Sequence, residues 1–265
     1  MATELKDIKL YYFTQVKGSK TIGRGDYIRL MLEDASVDYE YVRLTWDQWK
    51  EKKVELLEQG EIDPTMPYIT IGGKHYFKTL PAMRVIAKKL GKYNGENEEE
   101  EYLLDAYSDS MNDWMTKWGT ALFVGNEETL KTYKETHRVN AHKMLNRMFS
   151  LNKGPYVLGE KITYIDFFIY HILDDDTKTI VDIEAEAHVD AETYPHVATF
   201  IEAFKNRPNL KGSIALHTSD GQTNALDKQK RNMLLEQGKV DSSMLYVTVG
   251  SMVYYKTIPV LRFLA

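Results

Sequence analysis

None of the 265 residues is cysteine, so no thiol of the chain can act as nucleophile, no thiolate can hold a metal and no disulfide framework exists. The chemistry of the chain must therefore come from oxygen and nitrogen side chains. Several groupings are tempting. Gly18-Ser19-Lys20-Thr21 has the end of a phosphate loop, but Phe13 occupies the place of that motif's first glycine. His171 with Asp174, Asp175 and Asp176, and further on Glu184, Glu186 and His188, are metal-ligand types at no metal-site spacing. They are expected as solvated acidic surface. The adjacent Tyr11 and Tyr12 close an apolar run. A phenol with an ordinary pKa near 10 stays protonated at neutral pH and can donate to an anion, and alternation along a strand lets only one of the two face a given site.

The elements that must position these groups are legible from periodicity. Ile8–Phe13 and Tyr39–Leu44 read as strands, and Tyr27–Ala35 as a helix with Ile28, Met31, Leu32 and Ala35 on one face. A helical stretch over Trp49–Leu57 precedes Tyr68–Ile71 and His75–Phe77, which flank Gly72-Gly73 as a hairpin. Pro81 is expected to open a helix running to about Leu90, where its missing N–H costs nothing. Beyond Asn97 the pattern is helical: Tyr102–Trp118, Glu128–Leu151, Tyr164–Asp174 and Tyr194–Asn206. Thr163-Tyr164-Ile165-Asp166 has the spacing of a capping box ahead of an apolar helix. An α/β unit over residues 1–90 followed by an all-helical unit over 91–216 is the expected organisation.

A net charge of −5 and a pI near 5.9 speak against a nucleic-acid partner, which would need a concentrated basic face. No apolar run is long enough to span a bilayer, the longest being Phe167–Leu173, and Met1–Leu10 lacks the order of a secretory signal; a cytoplasmic protein is expected. The acidic Glu96–Glu101 reads as a solvated linker or a helix start. The tail holds a surprise. Displaced by 178 positions, Lys53–Ala87 falls on Arg231–Ala265 without a gap, and 16 of 35 positions are identical, too many for chance. Residues 217–265 thus repeat a hairpin-and-helix half of the first unit without the strand, helix and strand that would close a core. This tail is a loose remnant of duplication, an element that pairs with a partner's sheet edge, or a gene-prediction error.

The order Leu10-Tyr11-Tyr12-Phe13, Gly23-Arg24-Gly25-Asp26-Tyr27-Ile28-Arg29, Met66-Pro67, Gly73, Lys78-Thr79 and Arg84 resembles the thioredoxin-like glutathione-binding domain of cytosolic glutathione transferases, nearest the tyrosine-using sigma-like group. Leu158–Asp166, Tyr194-Pro195 and Arg207-Pro208 resemble that family's helical half, so the likeness covers about residues 5–215. It implies transfer of glutathione, as co-substrate and without a metal, to a small hydrophobic electrophile, in a homodimer with no membrane or nucleic-acid partner. A glutathione-dependent isomerase of the prostaglandin type and a non-catalytic member of the fold remain alternatives.

The resemblance makes Tyr12 the catalytic donor to the glutathione sulfur, with Tyr11 the alternative, and places Arg24 near that sulfur. It gives Trp49 and Lys53 to the glycine end of glutathione, a cis Met66-Pro67 bond to its cysteinyl backbone, and Thr79 with Lys78 to the γ-glutamyl carboxylate. Asp113 would reach the γ-glutamyl ammonium across the dimer. Lys78 departs from the usual glutamine or glutamate, and the loop Thr14–Ile22 is longer than usual. Each residue also has a plain reading: Thr79 as a helix cap, Trp49 and Lys53 as amphipathic helix surface, Arg24 as a helix-start residue and Asp113 as a solvated carboxylate. The electrophile pocket is expected between the domains, walled by Trp114, Met115, Trp118 and the loop after Phe13, although Trp114 and Trp118 at i and i+4 also suit a core.

Overall fold

The computed structural model describes residues 5–14, 23–179, 190–211, 214, 246–249 and 252–255. Most of the loop after Phe13, the residues Glu184, Glu186 and His188, and the tail apart from two strands lie outside the described residues. The N-terminal domain is built on a four-stranded sheet of β1 (Ile8–Phe13), β2 (Glu40–Leu44), β3 (Tyr68–Ile71) and β4 (Lys74–Phe77), in the order β2-β1-β3-β4. β1 runs parallel to β2, with Tyr12 opposite Arg43, and antiparallel to β3, with Leu10 opposite Ile69. Helices α1 (Gly25–Asp34), α2 (Trp46–Glu58) and α3 (Thr79–Leu90) join and cover these strands.

Local chemistry explains the helix boundaries better than periodicity did. α2 begins three residues before Trp49 because Thr45 and Gln48 form a reciprocal capping box, the Thr45 hydroxyl accepting from the Gln48 N–H at 3.2 Å while Gln48 Oε1 accepts from the Thr45 N–H at 2.8 Å. α3 starts at Thr79 and not at Pro81, because Lys78 turns the chain with φ 67° just ahead of it. Pro81 is still within the first turn, where an N–H has no intrahelical acceptor.

The C-terminal domain is helical: α4 (Glu98–Val124), α5 (Glu127–Thr132), α6 (Arg138–Ser150), α7 (Tyr164–Thr179) and α8 (Pro195–Lys205). Asn97 caps α4 through its side chain, so the acidic run is a helix start whose carboxylates complement the N-terminal dipole. The single helix expected over Glu128–Leu151 is instead α5, a π-helical turn at Tyr133–His137, and α6. That turn carries Tyr133 into the core, where its hydroxyl accepts from Trp114 Nε1 at 3.0 Å and donates to Asp176 at 2.5 Å.

At α7 the capping box is modified. The Asp166 carboxylate accepts from the N–H and hydroxyl of Thr163, each at 2.7 Å, and from the Val157 N–H at 3.0 Å, while the Asp166 N–H is bonded to the Thr163 carbonyl at 3.2 Å. β5 (Tyr246–Val249) and β6 (Met252–Tyr255) form a separate two-stranded sheet. Their register, Tyr246 opposite Tyr255 through Val249 opposite Met252, is the β3–β4 register at the same offset of 178.

Candidate active site

β1 delivers Tyr12 to the C-terminal end of the strand beside the start of α1. Its ring is buried on the face shared with Leu10 and Ile8, while Tyr11 lies on the opposite face, stacked on Tyr68 with ring centroids 4.2 Å apart. The Tyr12 hydroxyl accepts the Arg24 backbone N–H at 3.0 Å. Among the described residues nothing accepts its proton. Burial, only partly opposed by the Arg24 N–H, pushes the phenol up to about 12, so it is a protonated donor at any physiological pH. Gly25 is what permits this approach: a Cβ there would stand 2.7 Å from Tyr12 Cγ and 2.7 Å from the Tyr41 hydroxyl.

The other expected site residues fall into four places. Trp49 is buried with Tyr68 and Leu56 under α2, so its ring is mainly a packing element; the exposed indole of that helix is Trp46, tilted on Phe13 at 5.2 Å. Met66 is half-buried against the cluster of Trp49, Leu56 and Tyr68, and the Met66-Pro67 bond is cis, as the resemblance implied. Lys53 and Lys78 both act on Asp63, with Lys78 Nζ in a short ion pair to its carboxylate, and Thr79 is the first residue of α3. Asp63 escaped the sequence reading. Its acidity is enhanced by the Lys78 hydrogen bond first and by charge second, but the pair is exposed and adds little to stability.

Asp113 is exposed on α4, lining a groove of about 180 Å³ with Ser110, Trp114, Lys117, His137 and Asn140. Trp114, Met115 and Trp118, the expected substrate wall, are all buried: Trp114 donates to Tyr133, and Met115 Sδ accepts from the Tyr27 hydroxyl of α1. The reading of the acidic run of α7 is corrected. His171, Asp175 and Asp176 are buried, not solvated. Asp176 takes Arg138 Nε at 2.6 Å and the Tyr133 hydroxyl, while His171 lies between Asp26 and Asp175. Apart from Asp175, which lies one turn along the same helix, these partners come from other elements and nothing in the one-dimensional pattern pointed to them.

A four-stranded mixed sheet carrying a buried tyrosine donor at the end of its first strand, followed by a helical domain, defines a thioredoxin-like transferase architecture. Residues 112–215 match the family description "Glutathione S-transferase, C-terminal domain". The chain is 30% identical over 163 residues to human glutathione S-transferase Mu 3, covering 58% of this chain and 69% of that protein. It is 28% identical over 221 residues to glutathione S-transferase P 10 of Caenorhabditis elegans, covering 80% and 92%. The fold is similar to that of the Pi-class glutathione S-transferase of Onchocerca volvulus, with a TM-score of 0.66 at 22% identity, covering 80% of this chain and 94% of that one. The chain belongs to the glutathione S-transferase family. No helix among the described residues is long and apolar enough to cross a membrane.

Proposed function

We propose that the protein transfers glutathione to hydrophobic electrophiles by a tyrosine-type, sigma-like mechanism in which Tyr12 donates its hydroxyl hydrogen to the substrate sulfur. The observation that carries this reading is the Tyr12 hydroxyl itself: held by the Arg24 N–H, buried, protonated, and without a described acceptor for its own hydrogen. A donor aimed at a thiol stabilises the thiolate more than the neutral form, drawing its pKa from about 8.5 toward neutrality. The thiolate then attacks the electrophilic carbon, the leaving group departs with its electron pair, and the sulfur proton has already gone to solvent. The chain supplies no thiol of its own and needs none.

The remaining assignments rest on the resemblance together with the placement of the residues. Lys53 and Lys78 supply positive charge around Asp63, and α3 begins at Thr79 without a side-chain cap, features suited to the carboxylates of a tripeptide. Trp49 stabilises the helix that carries Lys53, and Arg24 adds charge beside the phenol. Asp113 is exposed, as a residue that serves a second subunit of a homodimer must be.

Tyr12→Phe tests the central claim. Conjugation of a generic aryl halide should fall by roughly 10²–10³ in kcat, the range for removing one well-placed donor, while glutathione still binds. An unchanged rate and an unchanged thiolate yield in the bound state would sink the mechanism.

A further inference from the structure

Four ionisable side chains lie in a row, buried between α1 and α7. Arg29 Nε donates to Asp26 Oδ1, Asp26 Oδ2 lies 3.3 Å from His171 Nδ1, and His171 Nε2 lies 3.2 Å from Asp175 Oδ2, an ion-pair distance without hydrogen-bond alignment. The side chains are 2–4% exposed. A charge so deep in the protein persists only if an opposite charge adjoins it, and here the signs alternate along the row. The His171 and Tyr27 rings meet edge-on with centroids 4.7 Å apart. Burial opposes the imidazolium, but the Asp175 and Asp26 carboxylates outweigh it and push His171 up to about 10.

This row bears on the catalytic tyrosine in two ways. Asp26 is two residues from Arg24, and its own N–H is bonded to the Gly23 carbonyl at 3.0 Å, so anchoring Asp26 to the helical domain fixes the turn that presents the Arg24 N–H to Tyr12. At the other end the Asp175 charge reaches the Tyr12 and Tyr27 phenols and disfavours negative charge there. A thiolate formed at the Tyr12 hydroxyl would feel the same repulsion. The imidazolium between Asp175 and α1 opposes it.

We propose that His171 is a positioning residue for the thiol chemistry: clasped between Asp26 and Asp175, it holds the α1 start against Tyr12 and offsets the Asp175 charge, so that docking of the helical domain favours ionisation of the bound sulfur. The proposal rests on Tyr12 acting as the sulfur donor. Among the described residues, the charged and titratable groups facing His171 are Asp26 and Tyr27 from α1, with Arg29 paired to Asp26 behind it, and Asp175 from its own helix.

The sign of two substitutions separates this role from plain packing. In the full-length protein, the pKa of glutathione's thiol in the binary complex is read from thiolate absorbance against pH. His171→Gln should raise it by about one unit and Asp175→Asn should lower it, the ordinary directions for removing a nearby positive or negative charge. The His171→Gln/Asp175→Asn double variant should fall between the two, and KM for glutathione should change less than about twofold, well short of the roughly tenfold that one pKa unit represents. If His171→Gln does not fold, Asp175→Asn and the charge-neutral double variant still carry the test. Shifts of the same sign in both single variants, or no shift in a folded Asp175→Asn variant, would overturn the proposal. A wild-type protein that forms no thiolate would overturn the reading of Tyr12 beneath it as well.

Discussion

Arg207, just past the end of α8, grips Asp34 at the end of α1 with two parallel hydrogen bonds, Nε to Oδ1 and Nη2 to Oδ2, both 2.6 Å. The carboxylate is buried and also accepts from the Tyr93 hydroxyl at 2.8 Å, while Asn209 donates to the Asp34 carbonyl at 2.8 Å. α8 is thus tied to the first helix of the sheet domain, at the opposite end of α1 from the catalytic turn.

Arg207→Ala would leave a buried carboxylate with one neutral donor. Removing one partner of a buried pair costs on the order of 3 kcal/mol, at the low end here because the guanidinium is about a quarter exposed. Arg207→Lys should recover little, since an ammonium cannot form the planar fork. Chemical denaturation of the three proteins checks this; a lysine variant as stable as wild type would show that charge alone, not the fork, holds the joint.

Gly25 predicts a coupled loss of stability and rate. An added Cβ would press on Tyr12 Cγ and Cβ and on the Tyr41 hydroxyl at 2.7–2.8 Å, and ring-root atoms cannot swing aside. Gly25→Ala should destabilise by about 1–3 kcal/mol through overpacking and lower kcat at least roughly tenfold by shifting the phenol. Steady-state kinetics with a melting curve measure both. Wild-type kcat in this variant would mean that the placement of Tyr12 is not critical.

How much of this was readable beforehand depends on distance along the chain. β1, β3 and the hairpin followed from alternation and Gly72-Gly73, and Tyr12 was singled out by resemblance before its geometry was known. The start of α2 was available in Thr45 and Gln48 and was passed over. The π-helical turn at Tyr133 was not available, because a helical pattern that continues on both sides hides one extra residue per turn. The acids of α7 misled for a different reason: three consecutive aspartates resemble solvated surface, and only the fold brings Arg138 to Asp176 and Asp26 to His171. Lys78 and Asp63, fifteen residues apart on opposite sides of a hairpin, were equally invisible as a pair.

His142 sets an expectation for acid stability. It is sandwiched edge-on between Trp114 and Tyr194, and burial first, then the Arg138 guanidinium, push it down to about 4 although Asp176 lies 3.7 Å away. The folded imidazole therefore stays neutral while the unfolded one takes up a proton near 6.5. Its contribution to stability is complete above pH 6.5 and is lost as pH falls through 4, because the unfolded state binds the extra proton. His142→Phe should flatten this limb by up to about 3 kcal/mol relative to wild type, which urea midpoints at pH 7 and pH 4.5 measure. Parallel limbs in the two proteins would show that His142 is not the group titrating there.

The tail should be dispensable. β5 and β6 reproduce the β3–β4 register, yet they form a sheet of two strands, and the β1 neighbour that completes β3 has no counterpart in the repeated segment. A lone two-stranded hairpin is marginal in water. Ending the chain after Leu216 should leave kcat/KM within about twofold and stability within about 0.5 kcal/mol, the size of changes away from packed contacts. A larger loss, or a change in oligomeric state on size-exclusion chromatography, would show instead that the appended strands pair with a sheet edge of this chain or of its partner.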